Sequence, residues 1–440
     1  MDLDLSPHGP APWMDPAHYW PALSAAVTGR GYPLVTVDLT ALEGNAADLV
    51  RRAGGMTIRV ASKSVRCRPV AEAVLALHGY AGLLAYSLPE AVWAAGWCED
   101  VLMGYPTTDQ TAIAELLDDD LALARVTLMI DSTDHLDAVD AVRPARERPE
   151  VRVAIDLDLA YEPPRAGRVT GRVGVYRSPV AAAEQAQELA RTVVDRPGFR
   201  LVGAMGYEAQ IAGVGDALPP TPPGLRHGPR ALVEHARTLV LRRLQADSWV
   251  DVVHRRAAMV AAVSEVAEAA GTPLEMVNGG GTGSVHLTRD DPSVTEIAAG
   301  SGLFGPGLFD RYRAFAPAPA AAFALPVVRR PAADIATVAG GGWIASGPPG
   351  PDRVPTVTWP REVELISHEG VGEVQTPLRG EGARDLAVGD LTWWRHAKAG
   401  ELAEHTNALV LVRSRVQDGE VVAEVEETVP TYRGEGKAFG

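Results

Sequence analysis

The residue with the clearest potential for covalent chemistry is Lys63, which follows the apolar run at residues 56–61 and stands in a polar turn. A lysine at the carboxyl end of a barrel strand lies where such folds build their active sites. A partly desolvated lysine amine forms Schiff bases with carbonyl compounds. Lys63 is therefore our candidate for covalent attachment of a carbonyl cofactor.

A second candidate site is the glycine-rich stretch at residues 278–284, which reads Asn-Gly-Gly-Gly-Thr-Gly-Ser. Consecutive glycines let backbone N–H groups approach an anion without interference from Cβ atoms, and the hydroxyls of Thr282 and Ser284 add donors. Phosphate sites in barrels are often built after strands seven and eight. Alone, the stretch fits a phosphate site and a flexible turn equally well, and the presence of Lys63 favours the phosphate site.

Lys63 and the glycine-rich stretch can form one site only if strands and helices bring them to the same end of the fold. Short apolar runs alternate along the chain with alanine-rich segments of helical periodicity, such as residues 69–77, 89–95 and 179–194. Eight runs in this arrangement predict an α/β fold, a TIM-like (β/α)8 barrel. The runs cover residues 56–61, 82–86, 101–104, 126–130, 151–157, 200–205, 274–277 and 295–298.

The sequence pattern changes from about residue 317 onward, where glycine and proline interrupt valine-rich runs. Strands are predicted at residues 322–329, 361–368, 407–413 and 420–428, which indicates an all-β C-terminal domain. The glycine- and proline-dense segment at residues 340–352 fits both a loop over a site and a linker. Trp343, Trp393 and Trp394 either line a pocket or belong to the β-domain core.

The length, charge and cysteine content of the chain limit the classes of function that it can have. A chain of 440 residues exceeds the size of one hydrophobic core and predicts about two domains. The formal net charge of −15 disfavours non-specific binding to nucleic acid or anionic membranes. Two cysteines provide neither a disulfide framework nor a cysteine-rich metal site. Because no secretory signal and no apolar run of membrane-spanning length is apparent, we expect a soluble cytoplasmic protein.

The lysine turn and the glycine loop, in this order, resemble the fold-type III pyridoxal phosphate enzymes. The chain is similar to the branch that contains D-threonine aldolases and D-serine dehydratases, and within it to a divergent subgroup of amino acid deaminases/aldolases. The resemblance covers nearly the whole chain. The motifs that carry it lie at residues 33–39, 45, 59–63, 87–91, 206–208, 279–283, 340–347, 373–377, 395–401 and 430–437.

The resemblance implies an alanine racemase-like barrel at residues 31–316 that binds pyridoxal 5'-phosphate, after an N-terminal extension of residues 1–30. A D-serine dehydratase-like β domain follows at residues 317–440, and the strand at residues 31–40 is expected to join it. The resemblance also implies a homodimer. The cofactor-binding residues that it carries over are Lys63, which forms the Schiff base, Arg177, Tyr207, Gly280, Gly281, Thr282 and Gly283.

The sequence departs from this family in two places. Beside the lysine, where the family has histidines, this chain has Val60, Ala61 and Val65. In residues 393–402, at the place of the family's divalent-metal motif, His396 is retained but Lys398 replaces the second ligand. An ammonium group cannot coordinate a cation. We therefore leave the metal unassigned, with His396 the only retained candidate ligand.

His396 and Lys398 are predicted to be catalytic together with Lys63, because titratable groups that converge in one segment mark functional sites. A lysine in the metal's place can donate a hydrogen bond to a substrate β-hydroxyl or, as a neutral amine, accept its proton. This predicts retro-aldol cleavage of a D-β-hydroxy-α-amino acid to glycine and an aldehyde. The alternatives are elimination to a 2-keto acid and ammonia, and a non-catalytic pyridoxal phosphate-binding protein.

Overall fold

The computed structural model describes residues 1–6, 9–163, 171–217, 229–348, 350–398 and 400–439. Within these ranges, eight parallel strands close into a barrel. They are β2 (Thr57–Ala61), β3 (Tyr80–Ala85), β4 (Val101–Met103), β5 (Val126–Ile130), β6 (Val151–Leu157), β7 (Phe199–Gly206), β8 (Met276–Gly279) and β9 (Glu296–Ala299). Each of the eight apolar runs overlaps one of these strands, which confirms the predicted barrel.

A second, mixed sheet contains nine further strands in the described part of the chain. They are β1 (Leu34–Asp38), β10 (Ala321–Ala332), β11 (Ile335–Ala339), β12 (Thr356–Trp359), β13 (Glu364–Leu365), β14 (Gln375–Arg379), β15 (Leu391–Arg395), β16 (Ala408–Gln417) and β17 (Glu420–Pro430). Strand β1 pairs antiparallel with β10 and parallel with β16. The N-terminal strand therefore joins the C-terminal sheet, as predicted.

Helices cover the outside of the barrel and one face of the second sheet. They are α1 (Pro16–Ala26), α2 (Leu39–Ala53), α3 (Arg68–Leu75), α4 (Leu88–Ala95), α5 (Gln110–Asp118), α6 (Asp120–Arg125), α7 (Thr133–Val142), α8 (Ala183–Asp195), α9 (Ala209–Ala212), α10 (Pro229–Ala269), α11 (Val285–Thr288), α12 (Ser301–Phe304) and α13 (Glu401–Glu404). Among the described residues, no helix combines the length and the apolar character that a membrane crossing requires.

Local sequence explains where these helices start and stop. Helix α2 begins where the Asp38 carboxylate accepts a hydrogen bond from the Thr40 N–H at 3.0 Å, and it ends at Gly54 in the left-handed conformation. Helices α5 and α6 begin in the same way, with aspartate caps at Asp109 and Asp119. Aspartate caps therefore set the starts of these three helices.

Side chains fill the barrel interior in layers. One layer is apolar, and the layer nearer the carboxyl ends of the strands is polar. The apolar layer is a cluster of inward-facing side chains, which are Leu102, Met129, Ala154, Met205 and Met276. Side chains alternate along a strand, so the residue two positions later faces the same way, one layer nearer the carboxyl end. Those residues include Asp131, Asp156, Tyr207 and Asn278. The mouth of the barrel is therefore lined with groups capable of chemistry.

The second sheet differs in detail from the sequence-based expectation. Trp393 and Trp394 are fully buried in its core, and Trp393 packs on Trp20 of α1 with ring centroids 5.5 Å apart, so these two do not line a pocket. The predicted strand at residues 361–368 pairs only at Glu364–Leu365, because Glu362 adopts a left-handed φ of 60° that interrupts an extended run.

Candidate active site

The predicted Schiff-base lysine stands at the carboxyl end of β2, in the 3-10 turn Ser62–Ser64. Ser62 fixes this turn to β3, because its Oγ donates a hydrogen bond to the Leu84 carbonyl oxygen at 3.0 Å. The Lys63 side chain reaches into the barrel mouth, where its Nζ lies 2.6 Å from the hydroxyl oxygen of Tyr105. Tyr105 follows β4, so residues from two strand ends meet at the lysine amine.

An aromatic and cationic cluster of Tyr105, Arg177 and Tyr207 lies next to the amine. The Arg177 guanidinium carbon is 5.2 Å from the ring centroid of each tyrosine, within cation–π range. Burial alone would raise the pKa of Tyr105, but the charges of Lys63 and Arg177 outweigh burial and lower it. Burial raises the pKa of Tyr207 to about 12, so this phenol stays protonated at neutral pH.

The glycine loop forms another wall of the same pocket. Gly280 has a φ of 81°, a conformation that strains residues with a side chain. A Cβ on Gly281 would lie 3.1 Å from Tyr207 Cε2, so glycine keeps the space beside this ring free. The Thr282 hydroxyl oxygen accepts a hydrogen bond from the Gly302 N–H at 3.1 Å, which joins the loops that follow β8 and β9.

One pocket unites these parts. Its polar and glycine lining comprises Lys63, Ser64, Gly104, Tyr105, Arg177, Gly206, Tyr207, Asn278, Gly280, Gly281, Thr282, Gly300 and Ser301. The predicted residue Gly283 lies behind this lining, because a Cβ there would be 2.3 Å from the Ala212 carbonyl oxygen of α9. An amine, a guanidinium, hydroxyl groups and glycine backbone together fit a phosphorylated carbonyl cofactor.

A buried ionic network supports the glycine loop. The Glu208 carboxylate accepts hydrogen bonds of 2.5 to 3.3 Å from Arg256, Ser284, Thr288 and the Gly280 N–H. Arg256 of α10 also pairs with Asp291 at 2.7 Å. Removing one partner of such a buried ion pair leaves an uncompensated charge, which is strongly destabilising. The network therefore holds the loop in place before any ligand binds.

The segment of the second sheet that carries His396 and Lys398 packs directly on the lysine turn. A Cβ on Gly400 would lie 2.1 Å from the Lys63 carbonyl oxygen, so the two backbones are in contact. Arg66, which follows the lysine turn, and Glu404 of the β domain form an ion pair at 2.6 Å across the same contact. The β domain thus brings its own side chains to the mouth of the barrel.

Lys398 is not among the residues that line the pocket, but it lies close to Lys63 and Tyr105. Its side chain is half-buried, and the charges of Lys63 and Tyr105 both act on its amine. Burial first and the nearby Arg353 guanidinium second lower the pKa of Lys398, although Glu401 partly opposes them. A lowered pKa increases the fraction of neutral amine that can accept a proton.

His396 occupies a different environment. It is 3% exposed, and burial, followed by the charge of Arg395, lowers its pKa to about 3, so the imidazole is neutral. The backbone of Ala321 lies beside the ring and partly opposes this shift. In the same part of the chain, no group of three or more His, Cys, Asp or Glu side chains could hold a metal ion. The roles of His396 in catalysis and metal binding stay predictions.

The glycine- and proline-dense segment at residues 340–352, of which residue 349 lies outside the described ranges, connects β11 to β12 within one sheet. It is therefore a loop of the β domain and not a linker. The Ser346 N–H donates to Glu401 Oε1 at 2.9 Å, which ties this loop to the Lys398 segment. Trp343 stacks on Phe323 and His405, with ring centroids 4.2 and 4.7 Å away, and belongs to the β-domain packing.

Sequence reasoning gave no role to several residues that the structure places at or behind the pocket. They are Tyr105, Asp131, Asp156, Glu208 and Arg256. For Tyr105, Asp131 and Asp156 a signal existed, because each stands at the carboxyl end of a predicted barrel strand, where such folds place functional groups. Arg256 carried no comparable signal, since it lies in the middle of a long helix.

Sequence comparison assigns the barrel to a family. The profile of the alanine racemase N-terminal domain matches residues 37–307, which is more than half of the chain. The chain belongs to the alanine racemase N-terminal domain family. The matched region includes every barrel strand, together with Lys63, Tyr207 and the glycine loop. No curated protein matches the chain in sequence.

Solved structures similar to this family member include D-threonine aldolase from Filomicrobium marinum, at 18% identity and a TM-score of 0.70, covering 92% of this chain and 95% of that one. D-threo-3-hydroxyaspartate dehydratase from Delftia sp. HT23 is 21% identical with a TM-score of 0.63, covering 92% and 98%. Alanine racemase from E. faecalis is 14% identical with a TM-score of 0.54, covering 82% and 87%. At these identities the likeness establishes the fold alone.

Proposed function

We propose that this member of the alanine racemase N-terminal domain family is a pyridoxal phosphate-dependent lyase. It cleaves a D-β-hydroxy-α-amino acid by a retro-aldol reaction to glycine and an aldehyde. The observation that carries the proposal is the meeting of the Lys63 amine, Arg177 and the glycine loop in one pocket. The structural likeness to D-threonine aldolase supports the reaction class.

The pocket offers the groups that pyridoxal phosphate requires. Lys63 supplies the amine that bonds to the carbonyl carbon, and the loop at residues 280–282 supplies a phosphate cradle. Arg177 and Tyr207 contribute a cation and a flat aromatic surface beside it. When bound, the cofactor supplies an electron sink for the bond that breaks at the substrate Cα.

Lys398 is the proposed base for the substrate β-hydroxyl. As a neutral amine it accepts the hydroxyl proton while the Cα–Cβ bond breaks and the aldehyde carbonyl forms. The product glycine then needs a proton at Cα, and Lys63 Nζ is the proposed donor, positioned by its 2.6 Å hydrogen bond to Tyr105. We further propose that Arg177, which lies beside Tyr105 and Tyr207, binds the substrate carboxylate as well as contacting the cofactor.

Elimination to a 2-keto acid and ammonia is the second candidate. Lys63 and Lys398 act at the same end of the pocket, so one amine can remove the α-proton while the other, as an ammonium group, assists the loss of hydroxide. The likeness to D-threo-3-hydroxyaspartate dehydratase supports this candidate. The contact between Gly400 and the lysine turn argues against a non-catalytic binding protein, since it brings a reactive side chain to the pocket.

The test is a product assay on the purified holoenzyme with D-threonine, D-serine and their L-enantiomers, each with and without a metal chelator. The proposal expects equal amounts of acetaldehyde and glycine from D-threonine, with no loss of activity on chelation. A 2-keto acid and ammonia as main products would support elimination instead. A holoprotein that releases none of these products from any β-hydroxy amino acid would be a non-catalytic carrier.

We also propose that the protein is a homodimer that acts on small amino acids and needs no nucleic acid or membrane partner. Sedimentation equilibrium of the holoenzyme tests the assembly directly. A mass of one chain at micromolar concentration would contradict it.

A further inference from the structure

Two carboxylic acids that the proposed reaction does not use lie side by side beneath the pocket. Asp131 directly follows β5, and Asp156 lies near the end of β6. The last paired residues of these parallel strands are Ile130 and Ile155, and the two aspartates directly follow them, so that Asp131 acts electrostatically on Asp156. The Asp131 side chain is 13% exposed and Asp156 is 5% exposed.

Both aspartates face the interior of the barrel. Met129 and Ala154 belong to the inward-facing apolar layer, and Asp131 and Asp156 are each two residues further along the same strands. Tyr207 stands in the same relation to Met205 and lines the pocket. The aspartate pair is therefore in the layer that the pocket rests on.

The chain returns from Asp156 to Arg177 through a short hydrogen-bonded connection. Ser178 Oγ donates to the Asp156 carbonyl oxygen at 2.6 Å and accepts from the Val180 N–H at 2.9 Å. The Asp158 N–H donates to the Val180 carbonyl oxygen at 2.8 Å. Arg177 is thus anchored next to Asp156, and its charge acts on that carboxyl group.

Few charged groups reach Asp156. Asp131 faces it from the end of β5, and Arg177 faces it from the segment after β6, while the paired residue on β7 is the uncharged Met205. Asp131 is in turn 3.4 Å from the His135 ring. Burial raises the pKa of Asp156 to about 7, Arg177 opposes the increase and Asp131 adds to it.

We infer that Asp156, paired with Asp131, is a positioning residue that sets how strongly Arg177 binds the carboxylate of an amino acid substrate. The inference rests on the proposed function, in which a D-amino acid binds in this pocket. While Asp156 is protonated, Arg177 offers its full charge to the substrate carboxylate. Once Asp156 is ionised, it neutralises the guanidinium and draws it toward the barrel. Carboxylate binding therefore weakens as pH rises through neutrality.

The test is a spectral titration of the holoenzyme with D-alanine, which has no β-hydroxyl to cleave or eliminate. Ethylamine is the matched control, because it is alanine without the carboxylate and shares the titration of the amine. Between about pH 6 and pH 8.5, the affinity ratio of D-alanine to ethylamine should fall about fivefold to tenfold, as one pKa unit of coupling produces. Asp156→Asn should abolish this fall, and Asp131→Asn should move its midpoint to lower pH.

A second measurement needs neither cofactor nor turnover. Because Asp156 is protonated more readily in the folded chain than in the unfolded one, the urea midpoint of the wild type should fall as pH rises from about 4 to about 7 and then level off. In Asp156→Asn this component of the pH dependence should be absent, and a variant that unfolds at the wild-type midpoint near pH 4, where the wild-type carboxyl group is protonated in both states, is correctly folded.

The outcomes separate the two proposals. A holoenzyme that responds to D-alanine and ethylamine, but keeps its pH-dependent affinity ratio in Asp156→Asn, would overturn this inference alone. A holoenzyme that responds to neither amine would overturn the proposed function and the inference with it.

Discussion

The two sides of the pocket hold their charged groups differently. On the glycine-loop side, the fully buried Glu208 accepts four hydrogen bonds and pairs with the equally buried Arg256. On the β-domain side, two buried atoms close to Lys398, namely Arg353 Nε and Glu401 Oε2, have no partner among the described residues. Unpaired buried polar atoms are rare in native proteins and need an explanation.

This difference suggests different ligands for the two sides. A wall whose buried charges are paired in the free protein is preorganised, and it suits a ligand that stays in place, such as a cofactor phosphate. A wall with unpaired polar atoms gains most when a ligand arrives to pair them. We therefore assign the glycine-loop side to the cofactor and the β-domain side to the substrate.

The largest expected effect comes from Lys63→Ala, which removes the amine between the two sides. The variant should lose the visible absorption band of bound pyridoxal phosphate and at least about 10³-fold in kcat, because the amine proposed to bond to the cofactor is gone. Absorption spectra of both proteins after addition of the cofactor measure this. Lys63→Arg is the control, since it keeps the charge beside Tyr105 without a primary amine. An intact band in Lys63→Ala would refute the assignment.

Breaking the preorganised side should cost stability as well as cofactor affinity. Glu208→Gln leaves Arg256 with an uncompensated charge, so the free energy of unfolding should fall by about 3–5 kcal/mol. Urea unfolding of the apoprotein measures it. The control is Glu404→Gln, which removes a partly exposed ion pair with Arg66 and should cost about 1 kcal/mol or less. Equal losses in both variants would show that the buried network has no special role.

On the β-domain side, a substitution should lower catalysis and leave stability and cofactor binding unchanged. Lys398→Met keeps the apolar stem but removes the amine, so kcat should fall about 10²-fold, the usual contribution of a general base. The cofactor spectrum and the unfolding midpoint should stay unchanged. Steady-state assays and spectra of the same preparation test this. If Lys398→Met instead loses the cofactor, the division of the pocket into two sides is wrong.

His396 provides a sharper test of the same side. Its imidazole is buried and neutral, so His396→Ala should mainly lower stability, by about 1–3 kcal/mol. Its kcat should stay closer to that of the wild type than the kcat of Lys398→Met does. A larger loss of kcat in His396→Ala, with stability unchanged, would instead place the imidazole at the reacting atoms.

The smallest expected effect concerns Glu90, a buried residue of α4 near the lysine turn. Glu90 is fully buried, and burial raises its pKa to about 7, although the Tyr86 N–H at 2.8 Å favours its ionised form. Folding therefore favours the protonated acid, and this contribution to stability is lost as pH rises through about 7. Glu90→Gln should remove that loss and gain about 1–3 kcal/mol at about pH 8.5 relative to wild type. Urea unfolding at two pH values decides it, and a variant with unchanged pH dependence would contradict it.

The barrel was predictable because its strands are buried on both sides. Runs such as residues 126–130 and 151–157 are nearly continuous apolar segments, and their bounds match β5 and β6. The second sheet was harder, because β12 and β14 contain Thr, Trp, Gln and Pro in short half-exposed stretches. These strands owe their pairing to neighbours far away in sequence, and no local pattern reveals such neighbours.

The candidate site was predictable to the same extent, because some of its residues have a local sequence pattern and others depend on distant parts of the chain. Lys63 and the glycine loop have local signatures, whereas the link between Glu208 and Arg256 depends on a helix some fifty residues away. One signal was open to use: the chain contains only three lysines, Lys63, Lys398 and Lys437. Lys63 lines the pocket and Lys398 lies close to it, so the scarcity of lysine would have singled out both.

This scarcity also makes the site of cofactor attachment directly measurable. The holoprotein is reduced with borohydride, digested, and its peptides are mapped by mass spectrometry for the added pyridoxyl group. We expect the group on the peptide that contains Lys63 and on neither of the other two lysine peptides. A label on Lys398 or Lys437, or no label after incubation with pyridoxal phosphate, would contradict it.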